Sequence, residues 1–181
     1  VDTVLYFESD GSSRYRVVRA IKNRFGAVNE LGMFAMTGKG LKEVTNPSAI
    51  FLTGHSRPVP GSVITVVREA TRPILLEVQA LVAPTDLAMP RRVGTGVDPK
   101  RLAMIVAVLG RHAAVPLASA DVFVNVAGGV RIDEPGADLA VALAIASAAR
   151  GAPLREGVAA FGEIGLTGRL RPASQAERRL E

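Results

Sequence analysis

KNRFG, at residues 22–26, stands where an alternating, strand-like run at residues 15–21 meets a glycine that lets the backbone turn. If the extended backbone continues through the motif, Lys22 and Arg24 share one face, while Asn23 and Phe25 share the other. Two cations on one edge suit a phosphate, with Phe25 as an apolar anchor behind them and Gly26 free to take a positive φ. An ordinary solvated strand end explains the same residues, so composition alone leaves both interpretations open.

Composition indicates a globular protein of one large domain or two small ones. The chain has 181 residues, of which 48% are hydrophobic, and no cysteine, which excludes disulfides and thiolate metal sites and fits a cytoplasmic protein. No apolar run approaches the roughly 20 residues of a membrane span, and no signal-peptide pattern opens the chain. The net charge of +5, carried mostly by arginine, makes nucleic acid a plausible partner.

The first third of the chain predicts a small antiparallel sheet. Four short strands cannot form an independent core of this size, so we expect them to be the edge of a larger sheet lying outside this chain. A stretch rich in proline and glycine at residues 53–61 predicts a domain boundary near Ser56. The expected elements are strands at residues 1–8, 14–21, 31–37 and 41–44, followed by a short helix capped by Asn46.

The remainder mixes strands and helices without strict βαβ alternation, which predicts an α+β fold. Asp98 and Pro99 start one helix, and a second, apolar nearly all round, ends at Gly151. The expected elements are strands at residues 62–68, 74–82, 121–126, 130–132, 158–161 and 168–171, helices at 98–110, 136–150 and 175–181, and a long loop at 83–97.

Several stretches, in order and nearly from end to end, resemble the bacterial RadA (Sms) family of DNA repair proteins. Besides KNRFG they are residues 29–32, 40–48, 77–82, 90–92, 96–98, 125–129 and 162–166. The resemblance implies that the chain is a C-terminal fragment, with residues 1–55 forming the distal edge of a RecA-like ATPase core. It implies a Lon protease-like domain at residues 56–181. ATP with Mg²⁺ would bind mostly outside this segment, since the chain has no G-x-x-x-x-G-K-[ST] loop, and the family's zinc finger would precede it.

The second domain resembles the proteolytic domain of Lon proteases, which use a serine nucleophile and a lysine base. Gly136 stands in the place of that serine, and residues 175–179, where Lon keeps its lysine, contain none. Arginine stays protonated and cannot act as the base, so we expect no peptidase activity. The rival interpretation, a Lon-like serine peptidase, requires Ser119, Ser147 or Ser174 to find a lysine partner.

By resemblance to hexameric DnaB-type helicases, Lys22 and Arg24 would act like an arginine finger on nucleotide bound in the next subunit. The KNRFG motif could equally contact DNA and couple hydrolysis to strand movement. The whole protein would be a homo-hexameric, DNA-stimulated ATPase that promotes branch migration with a RecA-type recombinase on single-stranded and branched DNA. Another rival is an RNA-binding module related to ribosomal proteins.

Four cations near the start of the first helix of the second domain are candidate DNA contacts, Arg91, Arg92, Lys100 and Arg101. A solvated arginine-rich surface or a subunit contact explains them equally well. We expect no metal site, because His55 and His112 are far apart in sequence. Asp133, Glu134 and Asp138 are explained by the dipole of the helix that follows them.

Overall fold

The computed structural model describes residues 1–8, 15–26, 28, 31–46, 48, 52, 57–69 and 72–180. Within them the fold is a mixed α+β arrangement of three sheets and two α-helices, as the sequence predicts. The strands are β1 Thr3–Glu8, β2 Tyr15–Asn23, β3 Leu31–Thr37, β4 Gly40–Glu43, β5 Ser62–Glu69, β6 Arg72–Pro84, β7 Arg92–Thr95, β8 Ala120–Val126, β9 Glu163–Ile164 and β10 Leu170–Arg171. The helices are α1 Pro99–His112 and α2 Asp138–Arg150. No helix in the described ranges is long and apolar enough to cross a membrane.

The first sheet is antiparallel, with strand order β1-β2-β3-β4, and confirms the four expected strands. Met33 on β3 is buried and joins the main hydrophobic cluster, against which Val17 and Val44 also pack. The domain boundary near Ser56 and the residue His55 lie outside the described residues. Of the predicted short helix, the structure describes Ser48 and Leu52, whose backbone N–H donates to the Ser48 carbonyl at 3.0 Å.

The second sheet has the order β5-β6-β8-β7 and carries the core. β5, β6 and β8 pair antiparallel, whereas β7 lies parallel to β8. Alternation along β6 and β8 buries one face of each strand, as Leu76, Val78, Val122 and Val124 show. The prediction of a continuous loop at residues 83–97 is wrong, because β7 lies within it. Its four residues carry no strand pattern of their own, and they are extended because they pair with a strand about 30 residues later.

Both helices pack on the second sheet, and α1 starts as capping chemistry dictates. The Asp98 side chain accepts a hydrogen bond from the Arg101 N–H at 2.9 Å, and Pro99 takes the first position of α1. α2 ends at Gly151, which adopts the left-handed conformation with a φ of 62°. The helix expected from residue 136 begins instead with a 3-10 turn, Pro135–Ala137.

Three elements expected toward the end of the chain are wrong. Residues 158–161 and 130–132 each form a single bridge, Ile64 with Ala159 and Val97 with Ile132, rather than a strand. The terminal helix is reduced to one 3-10 turn, Glu177–Arg179. Gln175 has a φ of 52°, which a helix cannot accommodate, and Arg179 is drawn inward by the contacts described below.

Candidate functional site

The KNRFG motif forms an exposed turn at the end of β2. The strand ends at Asn23, so the expected alternation of faces covers Lys22 but does not extend to Arg24. The Asn23 side-chain carbonyl accepts a hydrogen bond from the Phe25 N–H at 3.1 Å, which closes the turn. A Cβ on Gly26 would lie 3.0 Å from the Asn23 amide nitrogen, so the glycine makes room for it. Asn23 and Gly26 therefore shape the turn.

Phe25 does not anchor the motif as expected, because 80% of its surface is exposed. The anchor is main-chain bonding instead: the Arg24 N–H donates to the Asp2 carbonyl at 2.9 Å. The Arg24 guanidinium also lies 3.3 Å from the Asp2 carboxylate, and both side chains are exposed. Such an ion pair is weak and is screened by salt, so a phosphate can displace the carboxylate. Lys22, opposite Val4 on β1, is exposed too.

The two positions that the Lon resemblance pairs lie side by side. A Cβ on Gly136 would approach the Arg179 guanidinium nitrogen and the Ala173 methyl group, each at 3.1 Å. Arg179 thus fills the space next to the position where Lon carries its nucleophile. The Arg179 side chain is fully buried and forms a bidentate ion pair with Glu134, whose side chain is 25% exposed.

Arg179 and Glu134 form a latch between the end of the chain and strand β5. The guanidinium donates to the Val66 carbonyl at 2.6 Å and to the Ser174 carbonyl at 3.1 Å. Glu134 accepts a hydrogen bond from the Arg68 N–H at 3.1 Å. Because every part of the pair is used in bonding, it offers neither a nucleophile nor a base. The absence of peptidase activity stays a prediction, and this latch gives it a structural reason.

The three serines of the peptidase interpretation have no lysine close in sequence, and the described contacts give Ser147 a different role. Its hydroxyl donates to the Ala152 carbonyl at 2.6 Å and accepts from the Gly61 N–H at 2.9 Å. Ser147 is buried, and these two bonds hold the end of α2 to the start of β5.

Three of the four candidate DNA contacts are engaged within the protein. Arg91 donates from Nε and a terminal guanidinium nitrogen to one oxygen of Asp121, and Arg101 makes a bidentate ion pair with Asp138. Arg92 donates to the carbonyls of Ala120 and Leu117. Lys100, by contrast, is exposed at the start of α1. DNA binding by these residues stays a prediction, and Lys100 is the one whose charge the structure leaves most available.

Two of these ion pairs each shift the pKa of one member. Hydrogen bonds from the Arg91 side chain and backbone lower the pKa of Asp121 below its usual value. The hydrogen bond to Asp138 raises the already high pKa of Arg101. Asp133 pairs with the exposed Arg131, Glu134 with Arg179 and Asp138 with Arg101, so each acid has an ion-pair partner besides the dipole of the helix.

A contact that sequence reasoning missed joins the C-terminal end of α1 to the turn after β9. The turn packs on His112, whose Nε2 lies 3.1 Å from the Leu166 carbonyl oxygen. Arg111 next to His112, Arg169 in the turn region and Arg171 on β10 are all exposed. Some 55 residues separate the two segments, so no local pattern predicts the contact. In the part of the chain that the structure describes, no group of three or more His, Cys, Asp or Glu side chains could hold a metal ion.

The part of the chain that contains the Gly136 turn and α2 is similar to the C-terminal domain of Lon proteases. The family model for the Lon protease (S16) C-terminal proteolytic domain matches residues 109–178. More specifically, the whole chain matches DNA repair protein RadA of Pseudomonas aeruginosa at 55% identity over 181 residues. RadA of Escherichia coli K12 matches at 50% over 180 residues, and RadA of Bacillus subtilis at 48% over 181.

The chain belongs to the RadA family and corresponds to the C-terminal part of those proteins. It is covered completely in the Pseudomonas and Bacillus alignments and to 99% in that with Escherichia coli. It spans only about 40% of the length of these curated relatives.

Proposed function

We propose that the chain is the C-terminal part of an ATP-driven, DNA-stimulated motor that promotes branch migration in recombinational DNA repair. The observation that carries the proposal is the end-to-end match to relatives named DNA repair protein RadA. The Lon-like domain serves in it as a scaffold of the homo-hexamer and as a DNA contact, and a RecA-type recombinase is the expected partner.

The first sheet supports the proposed place of residues 1–55 at the distal edge of a RecA-like core. Leu5, Phe7 and Met36 leave large apolar side chains exposed on it. Apolar surface of this kind is more typical of a face that packs against further protein than of a free edge. The rest of that core would lie in the part of RadA-type relatives that precedes the region matched by this chain.

The chemistry of the KNRFG turn fits the phosphates of ATP or of DNA. Lys22 and Arg24 are exposed cations held at the end of a strand, and the Arg24 side chain makes a weak ion pair with Asp2. MgATP bound in a neighbouring subunit would supply the phosphoryl group that is transferred. Such cations would stabilise the negative charge that develops on that group. Contact with the DNA backbone is the second role that the same geometry supports.

For the Lon-like domain we propose a DNA contact through exposed cations. Lys100 stays a candidate, and the exposed residues Arg111, Arg169 and Arg171 add three more. The contact would be to phosphates and therefore independent of sequence, with an affinity that falls as salt rises.

The test uses full-length protein with Lys22→Ala or Arg24→Ala, and measures DNA-stimulated ATP hydrolysis beside branch migration. Lys39→Ala, an exposed lysine in the β3–β4 turn of the same sheet, is the matched control. Loss of hydrolysis with DNA binding intact supports the contact with nucleotide. Normal hydrolysis with failed migration makes the motif a DNA-coupling element, and survival of both activities in both variants refutes the proposal for KNRFG.

A further inference from the structure

Phe25 is an aromatic side chain that neither the fold nor the proposed function uses. It lies in the turn after β2, and 80% of its surface is exposed. Its surroundings differ from those of Leu5, Phe7 and Met36, which lie within strands and are 50–58% exposed. Those three side chains belong to a sheet that further protein can cover, whereas Phe25 lies beyond the end of its strand.

The turn fixes the backbone of Phe25 before any ligand binds. The Phe25 N–H donates to the Asn23 side-chain carbonyl at 3.1 Å, and the Arg24 N–H donates to the Asp2 carbonyl at 2.9 Å. Asn23 also pairs with Thr3 between β2 and β1, so the turn begins on a hydrogen-bonded sheet. A phenylalanine side chain has only two torsions, and holding it in a complex costs little conformational entropy. The chain therefore presents an aromatic face on a pre-organised support.

Two exposed cations, Lys22 and Arg24, accompany Phe25 in the motif. Packing of Phe25 against an apolar protein surface would draw these charges out of water, which is unfavourable unless each finds a partner. A ligand that combines an aromatic face with negative charge suits the ring and the cations together. Each nucleotide of a nucleic acid strand is such a ligand, because its base is joined through one sugar to a phosphate.

The adjacency of ring and cation in the sequence favours a strand over ATP. Arg24 and Phe25 are consecutive, so the phosphate and the base that they contact must lie within reach of two neighbouring side chains. In ATP, two further phosphates and the ribose separate adenine from the γ-phosphate that an arginine finger contacts. In a duplex, neighbouring base pairs cover the faces of each base, and only its edges are accessible in the grooves. An aromatic side chain therefore stacks on unpaired bases.

We propose that Phe25 stacks on an unpaired base of single-stranded DNA while Lys22 and Arg24 contact the adjoining phosphates. The inference rests on the proposed function, because it assigns the KNRFG turn to DNA rather than to ATP bound in the neighbouring subunit. Every base has a π-face, so the contact is independent of sequence. Phe25 thereby distinguishes unpaired from paired DNA, whereas phosphates are present in both.

The first measurement uses full-length protein with Phe25→Trp, saturated with a non-hydrolysable analogue of ATP and titrated with oligothymidylate. A base that stacks on the new indole should quench its fluorescence. An abasic strand of the same length, which keeps the phosphates, and the corresponding duplex should leave the fluorescence unchanged. Leu41→Trp is the matched control, because Leu41 is exposed on β4 of the same sheet. Equal quenching by the abasic strand, or quenching by the ATP analogue before DNA is added, overturns the assignment to an unpaired base.

The second measurement compares the affinities of Phe25 variants for the same oligothymidylate. Phe25→Leu keeps an apolar side chain but has no aromatic face, and it should weaken binding by about 10-fold. Phe25→Tyr keeps the ring and should bind within about twofold of the wild type. Circular dichroism verifies folding, and a Phe25→Leu protein that fails to fold overturns the inference by showing that the ring packs on protein.

Failure of this inference is distinguishable from failure of the proposed function. Phe25→Leu that binds single strands like the wild type overturns the stacking, and the proposed function stands as long as Lys22→Ala or Arg24→Ala impairs ATP hydrolysis or branch migration. Survival of both activities in the two cation variants counts against the proposed role of the motif. Quenching of Phe25→Trp by oligothymidylate alone would still support the stacked base in that case.

Discussion

The latch between Arg179 and Glu134 predicts an asymmetric loss of stability when either partner is replaced. Glu134→Leu leaves the fully buried guanidinium without its counter-charge, whereas Arg179→Met leaves a carboxylate that is 25% exposed and can be hydrated. Removing one partner of a buried ion pair costs about 3–5 kcal/mol, and we expect Glu134→Leu in that range. For Arg179→Met we expect about 1–3 kcal/mol, chiefly from the Val66 carbonyl, which loses a hydrogen bond.

Urea unfolding, followed by circular dichroism, measures the difference. With a denaturant dependence of about 2 kcal/mol per molar, Glu134→Leu should lower the unfolding midpoint by about 1.5–2.5 M. The double variant should be more stable than Glu134→Leu alone, because no buried charge is left unpaired. Asp133→Leu is the control, since the neighbouring Asp133–Arg131 pair is exposed and should contribute less than about 1 kcal/mol. Equal losses for Asp133→Leu and Glu134→Leu, or a larger loss for Arg179→Met than for Glu134→Leu, would refute the reasoning.

Three further predictions concern other contacts. The pKa of Asp121 is lowered in the folded protein, so its contribution to the free energy of unfolding is present above the usual value of 3.8 and is lost as the pH falls below it. The difference in melting temperature between the wild type and Arg91→Gln should therefore become smaller from about pH 6 to about pH 3. Gly96→Ala should lower the free energy of unfolding in urea by about 3 kcal/mol or more, because φ is +79° and the new Cβ would lie 2.5 Å from the Val130 carbonyl oxygen. Gly129→Ala, with open space around the new Cβ, should lower it by about 1 kcal/mol. Gly136→Ser should not create cleavage of fluorescent casein, since it adds a hydroxyl beside an arginine that cannot serve as base; measurable cleavage would contradict this.

The sequence predicts most of the fold where local chemistry is strong. Asp98 followed by Pro99 marks the start of α1, Gly151 marks the end of α2, and alternation identifies β6 and β8. It misses β7, whose residues are extended only because they pair with β8, a contact distant in sequence. The same limitation explains the failed terminal helix: residues 175–179 are helix formers by composition, but burial of Arg179 beneath Glu134 determines their path.

In the candidate site, too, some features can be predicted from the sequence and others depend on the tertiary structure. Residue identity indicates that Lys22 and Arg24 carry charges that suit a phosphate, and the resemblance to Lon proteases places Gly136 where those enzymes have their serine. The intramolecular partners of Arg91 and Arg101 are carboxylates about 30 and 37 residues away, so their engagement depends on tertiary structure. The prediction that Phe25 anchors the motif is wrong. An aromatic side chain in a strand pattern is expected to be buried, but the strand ends at the Asn23 turn, and Phe25 lies in solvent just after it.

The contacts along the outer side of β5 also limit how far this sheet can grow. Successive outward-facing backbone groups on alternate residues are occupied: the Ser62 N–H by Val59, the Ile64 carbonyl by Ala160, the Val66 carbonyl by Arg179 and the Arg68 N–H by Glu134. An added strand would have to displace these contacts, although β5 is rich in β-branched residues of the kind that promote fibril formation. Proteolytic removal of the segment after residue 158 would free the Ile64 and Val66 carbonyls. We therefore expect the segment after residue 158 to limit the addition of further strands at this edge.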